Sequence, residues 1–529
     1  MSNSNHIQIY DTTLRDGAQG EGINFSASGK IRHAQRLDEL GVDYIEGGFP
    51  GSNPKDIAFF EDIRKIELKH AKVAAFGSTR RMNTPVAEDD NIVKLLGAHT
   101  PVVTLVGKSS RLHVDEVLRT TEEENLGMIR DSVRYLKEQG REVVFDAEHF
   151  FQGYQESPEF AMRAIGAAAE VGVDVVVLCD TNGGTLPDDI ECITASVVKA
   201  LSVSVGIHTH NDMELGVANS LAAVRAGAVQ VQGTINGFGE RCGNANLCSI
   251  IATLELKMGK HCIRDGAMAE LTDVSRFVDE LVNRPHNPKA AFVGKSSFGH
   301  KGGLHANAVQ KNPITYEHIS PETVGNTRRI LISEGSGTSS VVLKALDHGV
   351  ELDKSKPEAQ KILKELKELE NKGYEFEAAD ASFRLLINKA LDRHMPFFEL
   401  DGYRVVVERR GEDQLPVSEA TIKLRVRGEQ SHTVAEADGP VDALDRALRK
   451  ALEGFYPAIA NVQLTDYRVR ILDPEEATAA TTRVLIESTD GDESWTTVGV
   501  SDNLIEASWE ALVDSVEYKL FMEEERNQV

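Results

Sequence analysis

Apolar residues in the first half of the chain fall in short, nearly unbroken runs. Between the runs they recur every three or four positions. The runs predict strands over Ile7–Tyr10, Tyr44–Gly48, Val73–Gly77, Val102–Gly107, Glu142–Glu148, Val173–Asp180, Val203–His210 and Val229–Ile235. The stretches between them predict amphipathic helices, such as Ser28–Leu40, Thr121–Gln139, Pro158–Val171, Pro187–Leu201 and Gly216–Ala226. Strands apolar on both faces, alternating with helices, imply a parallel sheet covered by helices. Eight such units closing on themselves make a (β/α)8 TIM barrel of ordinary size, about 250 residues. The alternative, a doubly wound nucleotide-binding sheet, calls for GxGxxG after an early strand. Here the glycine-rich stretch Asn236–Asn246 (NGFGERCGNAN) reads GxGxxxG and follows the last strand, which argues against a phosphate cradle.

After about Leu281 the rhythm breaks. Arg284–Val309 carries prolines, glycines and imidazoles, and Lys354–Lys372 and Ala378–Arg393 read as two helices, the first charged on most faces. From about Pro396 the pattern changes to alternating strands, as in Tyr403–Arg409 and Ala420–Arg427. Thr433–Leu448 aligns with Thr497–Leu512 at an offset of 64 residues, with Val434/Val498, Asp438/Asp502, Ala443/Ala507 and Leu448/Leu512 coinciding. Each copy reads as strands, an acidic turn and an amphipathic helix, so a pseudo-twofold α+β domain with a pocket between its halves is expected. The predicted organisation is a barrel over residues 1–281, a helical linker over 282–395 and a C-terminal domain over 396–529.

Length changes little in this picture: 529 residues suit two or three domains. Charge narrows it. With 58 Lys and Arg against 83 Asp and Glu, the formal charge of −25 argues against nucleic acid or an anionic membrane as a general partner. No run approaches a membrane span and the N-terminus shows no apolar signal core, so a cytoplasmic protein is expected. Cys179, Cys192, Cys242, Cys248 and Cys262 contain no CxxC pair, which suits reduced thiols rather than a disulfide framework.

Candidate chemistry centres on Ser202–Asp212, SVSVGIHTHND. On a strand, residues two apart share a face, so His208 and His210 project side by side while Thr209 faces away. Two such imidazoles suit a divalent metal when a carboxylate completes the site. The strand alone leaves open a pair of polar residues at a loop. The other reactive residues also fall at the C-terminal ends of predicted strands: Arg15 and Asp16, Glu46, Thr79 and Arg80, Glu148 and His149, Asp180 and Thr181, and Asn236. In a barrel, that rim is where chemistry is done.

Three stretches carry a resemblance: Asp11–Gly20 (DTTLRDGAQG), Ile207–Gly216 (IHTHNDMELG) and Asn236–Asn244 (NGFGERCGN). Together they resemble the metal-dependent TIM-barrel acyltransferases and lyases that include the 2-isopropylmalate, homocitrate and citramalate synthases. GLHANA at Gly303–Ala308 and the duplicated C-terminal domain resemble the synthases rather than the lyases. The resemblance implies Asp16, His208, His210 and Asn244 as ligands of a divalent cation, with magnesium, manganese, cobalt and zinc not distinguished. It implies Arg15 at the developing oxyanion, Glu148 and Thr181 lining the substrate, and His305 taking a proton from the acetyl-CoA methyl group, with Asn307 and Tyr316 beside it.

The implied reaction is a Claisen-type condensation of acetyl-CoA with a 2-oxo acid, followed by thioester hydrolysis to release CoA. Phe49–Asp56 (FPGSNPKD) and Phe145–Tyr154 (FDAEHFFQGY) look most like a citramalate-forming subgroup that uses pyruvate and serves isoleucine synthesis. One departure is Asp146, on the strand face of Glu148, where an acidic group beside a methyl pocket is unexpected. The enzyme alternatives are synthases using 2-oxoisovalerate or 2-oxoglutarate. The non-enzyme alternative is an inactive amino-acid sensor, against which the intact Arg15, Asp16, His208, His210 and His305 weigh. The resemblance further implies a homodimer or larger assembly, with each active site shared between subunits, and a branched-chain amino acid as effector of the C-terminal domain.

Overall fold

Segments such as VVVLCD leave no face that tolerates water, and in the computed structural model every residue of that strand is buried. The structure describes residues 5–50, 54–300, 303–330, 357–376, 379–391, 393, 396–409, 415–472 and 480–528. Eight parallel strands close into a barrel: β1 (Gln8–Asp11), β2 (Tyr44–Gly48), β3 (Lys72–Ser78), β4 (Val102–Lys108), β5 (Glu142–Glu148), β6 (Val175–Asp180), β7 (Ser204–Thr209) and β8 (Gln230–Gly233). β8 returns to pair with β1 through Gln8–Gln230 to Asp11–Gly233. Tyr10, Tyr44, Val102, Val144, Val175 and Val177 fill the lower interior, so the barrel is packed rather than hollow.

The surrounding helices start and stop where their sequence dictates. Ser26 caps Ala27–Leu40 by accepting from the Gly29 amide, and Gly41 ends that helix in the left-handed conformation at φ 89°. Thr121 caps Glu122–Glu138 in the same way, and Pro158 and Pro187 open their helices at the position where no amide is needed. Helices Pro54–Ile63, Asp90–Gly97, Leu247–Lys257 and Leu271–Leu281 add to this outer layer.

The chain divides into two compact units, residues 1–298 with 319–328, and residues 299–318 with 329–529. In the second unit the two expected linker helices run over Pro357–Asn371 and Asp380–Ala390. Residues 354–356, 378, 392 and 395, at their predicted edges and at the predicted linker end, lie outside the described residues.

The repeat extends further than its sequence match. Strands Glu399–Glu408, Val417–Val426 and Glu429–Ala437 form one antiparallel sheet followed by the helix Pro440–Leu452. Strands Gln463–Ile471, Thr482–Thr489 and Ser494–Ser501 form another, followed by Leu504–Gln528. Irregular register recurs at the same place, between Leu400 and Gly402 in one copy and Leu464 and Asp466 in the other. Thr433 donates to the Ala447 carbonyl at 2.8 Å, and Thr497 donates to Ala511 at 2.7 Å. The halves share one core, in which Leu444 and Leu448 of the first join Val484, Ile486 and Leu512 of the second. All five cysteines are free, and among the described residues no helix is long and apolar enough to cross a membrane.

Candidate metal centre and active site

β7 brings the histidine pair to the barrel rim. Thr209 turns away as expected and donates to the Gly216 carbonyl at 2.8 Å. His208 and His210 point inward, their Nε2 atoms 3.3 Å apart. From the turn after β1, Asp16 sets Oδ2 3.3 Å from His208 Nε2 and 4.0 Å from His210 Nε2. The three ligand atoms lie within 4.8 Å of one another, and all three residues are buried. Two imidazole lone pairs and a carboxylate converging in a buried space suit a cation. Asn244 is tied to His210 by a β-bridge. Its amide nitrogen donates to the Phe238 carbonyl at 3.0 Å, while its buried Oδ1 has no hydrogen-bond partner. An orphaned buried amide oxygen on a residue bridged to His210 suits a fourth ligand, so the residues present fit a divalent metal.

The DTTLRDG turn is fastened from behind. Asp11 accepts from the Thr13 hydroxyl at 2.5 Å and pairs with buried His33 at 2.9 Å, and Thr13 Oγ1 accepts the Ile235 amide at 2.8 Å. Arg15 then lies with its guanidinium 3.8 Å above the Phe76 ring. Its Nε donates to Glu46 Oε2 at 2.5 Å, and Nη1 sits 3.2 Å from Asp16 Oδ2. Glu46, fully buried at the middle of β2, also accepts from Thr12 at 2.5 Å and from the Tyr10 phenol at 2.8 Å.

The charges are strongly coupled. Burial opposes ionisation of Asp16, yet the Arg15 guanidinium and His208 hold its carboxyl far below the usual range. Burial disfavours the His208 cation, but its bond to Asp16 outweighs that and raises its pKa. Burial and the neighbouring His208 push His210 down to about 4. Burial, then Glu46, raises Asp146 to about 7.

A cavity of about 140 Å³ is lined by Arg15, Asp16, Glu148, Thr181, His208 and His210, among others. Six of the expected site residues therefore converge, and Asn244 joins through its bridge to His210. Glu148 ends β5 paired with Lys108, and Thr181 Oγ1 accepts the His149 amide at 2.8 Å. His305, Asn307 and Tyr316 belong to the second compact unit, where the His305 and Tyr316 rings lie 4.2 Å apart. The glycine-rich stretch proves to be a tight turn: a Cβ on Gly243, at φ 90°, would lie 2.0 Å from the Gly237 carbonyl oxygen. That turn delivers Asn244 to the site.

Sequence reasoning placed Glu46 on the rim without its partners, and it passed over Tyr10 and Gln232. Gln232 accepts from His208 Nδ1 through Oε1 and donates to Asp146 through Nε2, each at 2.9 Å. Its signal was present as QVQG, two amides at alternate positions of a strand expected inside the barrel.

Comparison with known proteins agrees with this geometry. Residues 6–278 match the model of the HMGL-like family. Residues 292–374 match a homocitrate synthase post-HMGL domain-like model, and 377–520 the LeuA allosteric (dimerisation) domain. An (R)-citramalate synthase of Geobacter sulfurreducens is 54% identical over 519 residues, covering 98% of each chain. That of Aquifex aeolicus is also 54% identical, over 520 residues and 98% of each chain. The chain belongs to the HMGL-like family, in its citramalate synthase group. A 2-isopropylmalate synthase of Methanocaldococcus jannaschii is 30% identical over 96% of this chain and 94% of its own. The HMGL-like match ends within the Leu271–Leu281 helix, so every barrel strand and the whole metal centre fall inside it.

Proposed function

We propose that this protein is an acyltransferase that condenses acetyl-CoA with pyruvate and water to give (R)-citramalate and CoA. The observation that carries the reading is 54% identity, across 98% of the chain, to proteins named for citramalate synthesis. The site supports it chemically. Asp16, His208, His210 and Asn244 are the residues suited to hold a divalent ion, which when bound supplies Lewis-acid polarisation of a 2-oxo group. Arg15, immobilised by Glu46 and Phe76, keeps a fixed positive fork beside the triad, where it stabilises the oxyanion that develops as the new carbon–carbon bond forms. Glu148 and Thr181 line the same space and orient the acid.

The methyl protons of a thioester are very weakly acidic, so a base of near-neutral pKa must act together with enolate stabilisation. His305 takes that role, with Asn307 and Tyr316 as companions. We assign the base to a neighbouring subunit, with residues 282–395 covering a partner's barrel in a twofold dimer. Residues 396–529 then serve as the regulatory domain. Isoleucine is the favoured effector, ahead of leucine, bound near the turns Ala437–Pro440 and Ser501–Leu504. Free cysteines suit a cytoplasmic setting.

The test is a panel of 2-oxo acids with thiol release as readout. Pyruvate is expected to be turned over best; preference for 2-oxoisovalerate or 2-oxoglutarate overturns the substrate, and no turnover at all leaves the sensor reading. Mixing Asp16→Ala with His305→Ala subunits is expected to recover towards a quarter of wild-type activity, a statistical estimate of about one good site per mixed dimer.

A further inference from the structure

The unexpected carboxylate of Asp146 has a defined partner. Gln232 on β8 is fully buried and stands in register with His208 on β7. Its Nε2 lies 2.9 Å from Asp146 Oδ1, and its Oε1 lies 2.9 Å from His208 Nδ1. An amide can be turned end for end, but an ionised carboxylate only accepts hydrogen bonds. Turning Gln232 over would set its oxygen against Asp146 and leave two acceptors face to face whenever Asp146 is ionised, the form that Gln232 favours by donating to it. The satisfied order is carboxylate, amide N–H, amide oxygen, imidazole N–H. The neutral His208 ring therefore carries its proton on Nδ1, and Nε2, the atom 3.3 Å from both Asp16 Oδ2 and His210 Nε2, is the nitrogen that then offers a lone pair to the shared space.

We propose that Asp146 and Gln232 are positioning residues that fix the tautomer and ring orientation of His208, through the contacts Asp146–Gln232 and Gln232–His208 that join β5, β8 and β7. His210 makes the contrast. Its buried Nδ1 has no hydrogen-bond partner, so only one imidazole of the pair is held from behind. His208 is the fixed ligand and His210 the one that adjusts. Outer partners of this kind orient metal-binding histidines and raise their basicity. The inference rests on the metal reading above and assigns Asp146 to holding the ligand rather than to choosing the 2-oxo acid.

The experiment is cobalt(II) titration of the full-length, metal-free protein, followed by visible absorption. Gln232→Met, close in volume but without the amide, is expected to weaken cobalt binding by about 10- to 100-fold. Gln232→Glu alone sets two carboxylates against each other and is expected to weaken it too. Adding Asp146→Asn to Gln232→Glu reverses the amide and the carboxylate while keeping an acceptor on Nδ1, and is expected to restore binding. A merely structural role lowers the thermal midpoint of the metal-free protein and leaves the cobalt affinity of its folded fraction unchanged. Unchanged affinity in Gln232→Met, or no recovery in the double variant, overturns the proposal. If Gln232→Met does not fold, the comparison of Gln232→Glu with the double variant decides. Wild-type protein that binds cobalt no better than His208→Ala overturns the metal reading itself, a failure visible before any Gln232 variant is read.

Discussion

The barrel rim and the duplicated C-terminal domain depart from an ordinary globular surface in opposite directions. At the rim, charge is withdrawn from water: Glu46 is fully buried, and Asp16, Asp146, His208 and His210 are nearly so. In the duplicated domain, apolar side chains are left in water, with Val407 57% exposed and Ile471 55% exposed on the outer strands of the two sheets. Burying charge is costly unless each group has a partner, so a rim that does so is organised around chemistry. Leaving strand valines exposed is a mark of contact with another surface. Each region violates a different rule, and the violated rule tells which kind of function to look for.

The largest test of that contrast removes the buried charge. Asp16→Ala and His208→Ala are expected to bring thiol release to background, with no rescue at ordinary metal concentrations. Chelation of the wild type is expected to do the same reversibly, and undiminished turnover by a chelated, metal-analysed sample breaks the comparison on its rim side. Next comes Arg15→Lys, which keeps the charge but loses the planar fork against Glu46 and Phe76. By analogy with losing one preorganised donor, kcat is expected to fall by about 100- to 1,000-fold.

Moving to the duplicated domain, Leu448→Ala and Leu512→Ala remove equivalent buried side chains from the shared core. Each is expected to cost roughly 2–5 kcal/mol, read by chemical denaturation of the C-terminal unit. Metal affinity of the barrel is expected to stay as in wild type; a loss there blurs the contrast. The smallest effect is the finest probe of the repeat. Thr433→Val and Thr497→Val delete the same hydrogen bond in each copy, for about 1 kcal/mol each. Thr497 is fully buried and Thr433 is not, so the second copy is expected to lose more.

Much of this was legible because its causes are local. Continuous apolar runs located all eight barrel strands to within a few residues, and Tyr44–Gly48 and Glu142–Glu148 to the residue. The alternation around Thr209 was enough to aim His208 and His210 inward. The roles of Glu46, Tyr10 and Gln232 were not legible, because their partners lie far away in sequence. Glu46 meets Arg15 and Tyr10 across two strands, and Gln232 meets Asp146 from the opposite side of the barrel interior. Pattern alone marks such residues only as polar interruptions in an apolar strand. The repeat was found through its turn and helix, but its outer strands, Glu399–Glu408 and Gln463–Ile471, carry it too: at the same offset Leu400/Leu464, Tyr403/Tyr467, Arg404/Arg468 and Val405/Val469 coincide. Their common register irregularity marks the same duplication in the backbone.

The duplication has a consequence for how this domain comes apart. Although the motif is written twice, Leu444 and Leu448 from one copy are packed in the same apolar cluster as Val484, Ile486 and Leu512 from the other. Neither half owns a complete interior. Ribosomal synthesis therefore releases the first copy before the side chains that complete its apolar cluster have been made. A chain interrupted between the copies is expected to leave that cluster partly open to water and prone to aggregate, because the motif written twice has one interior.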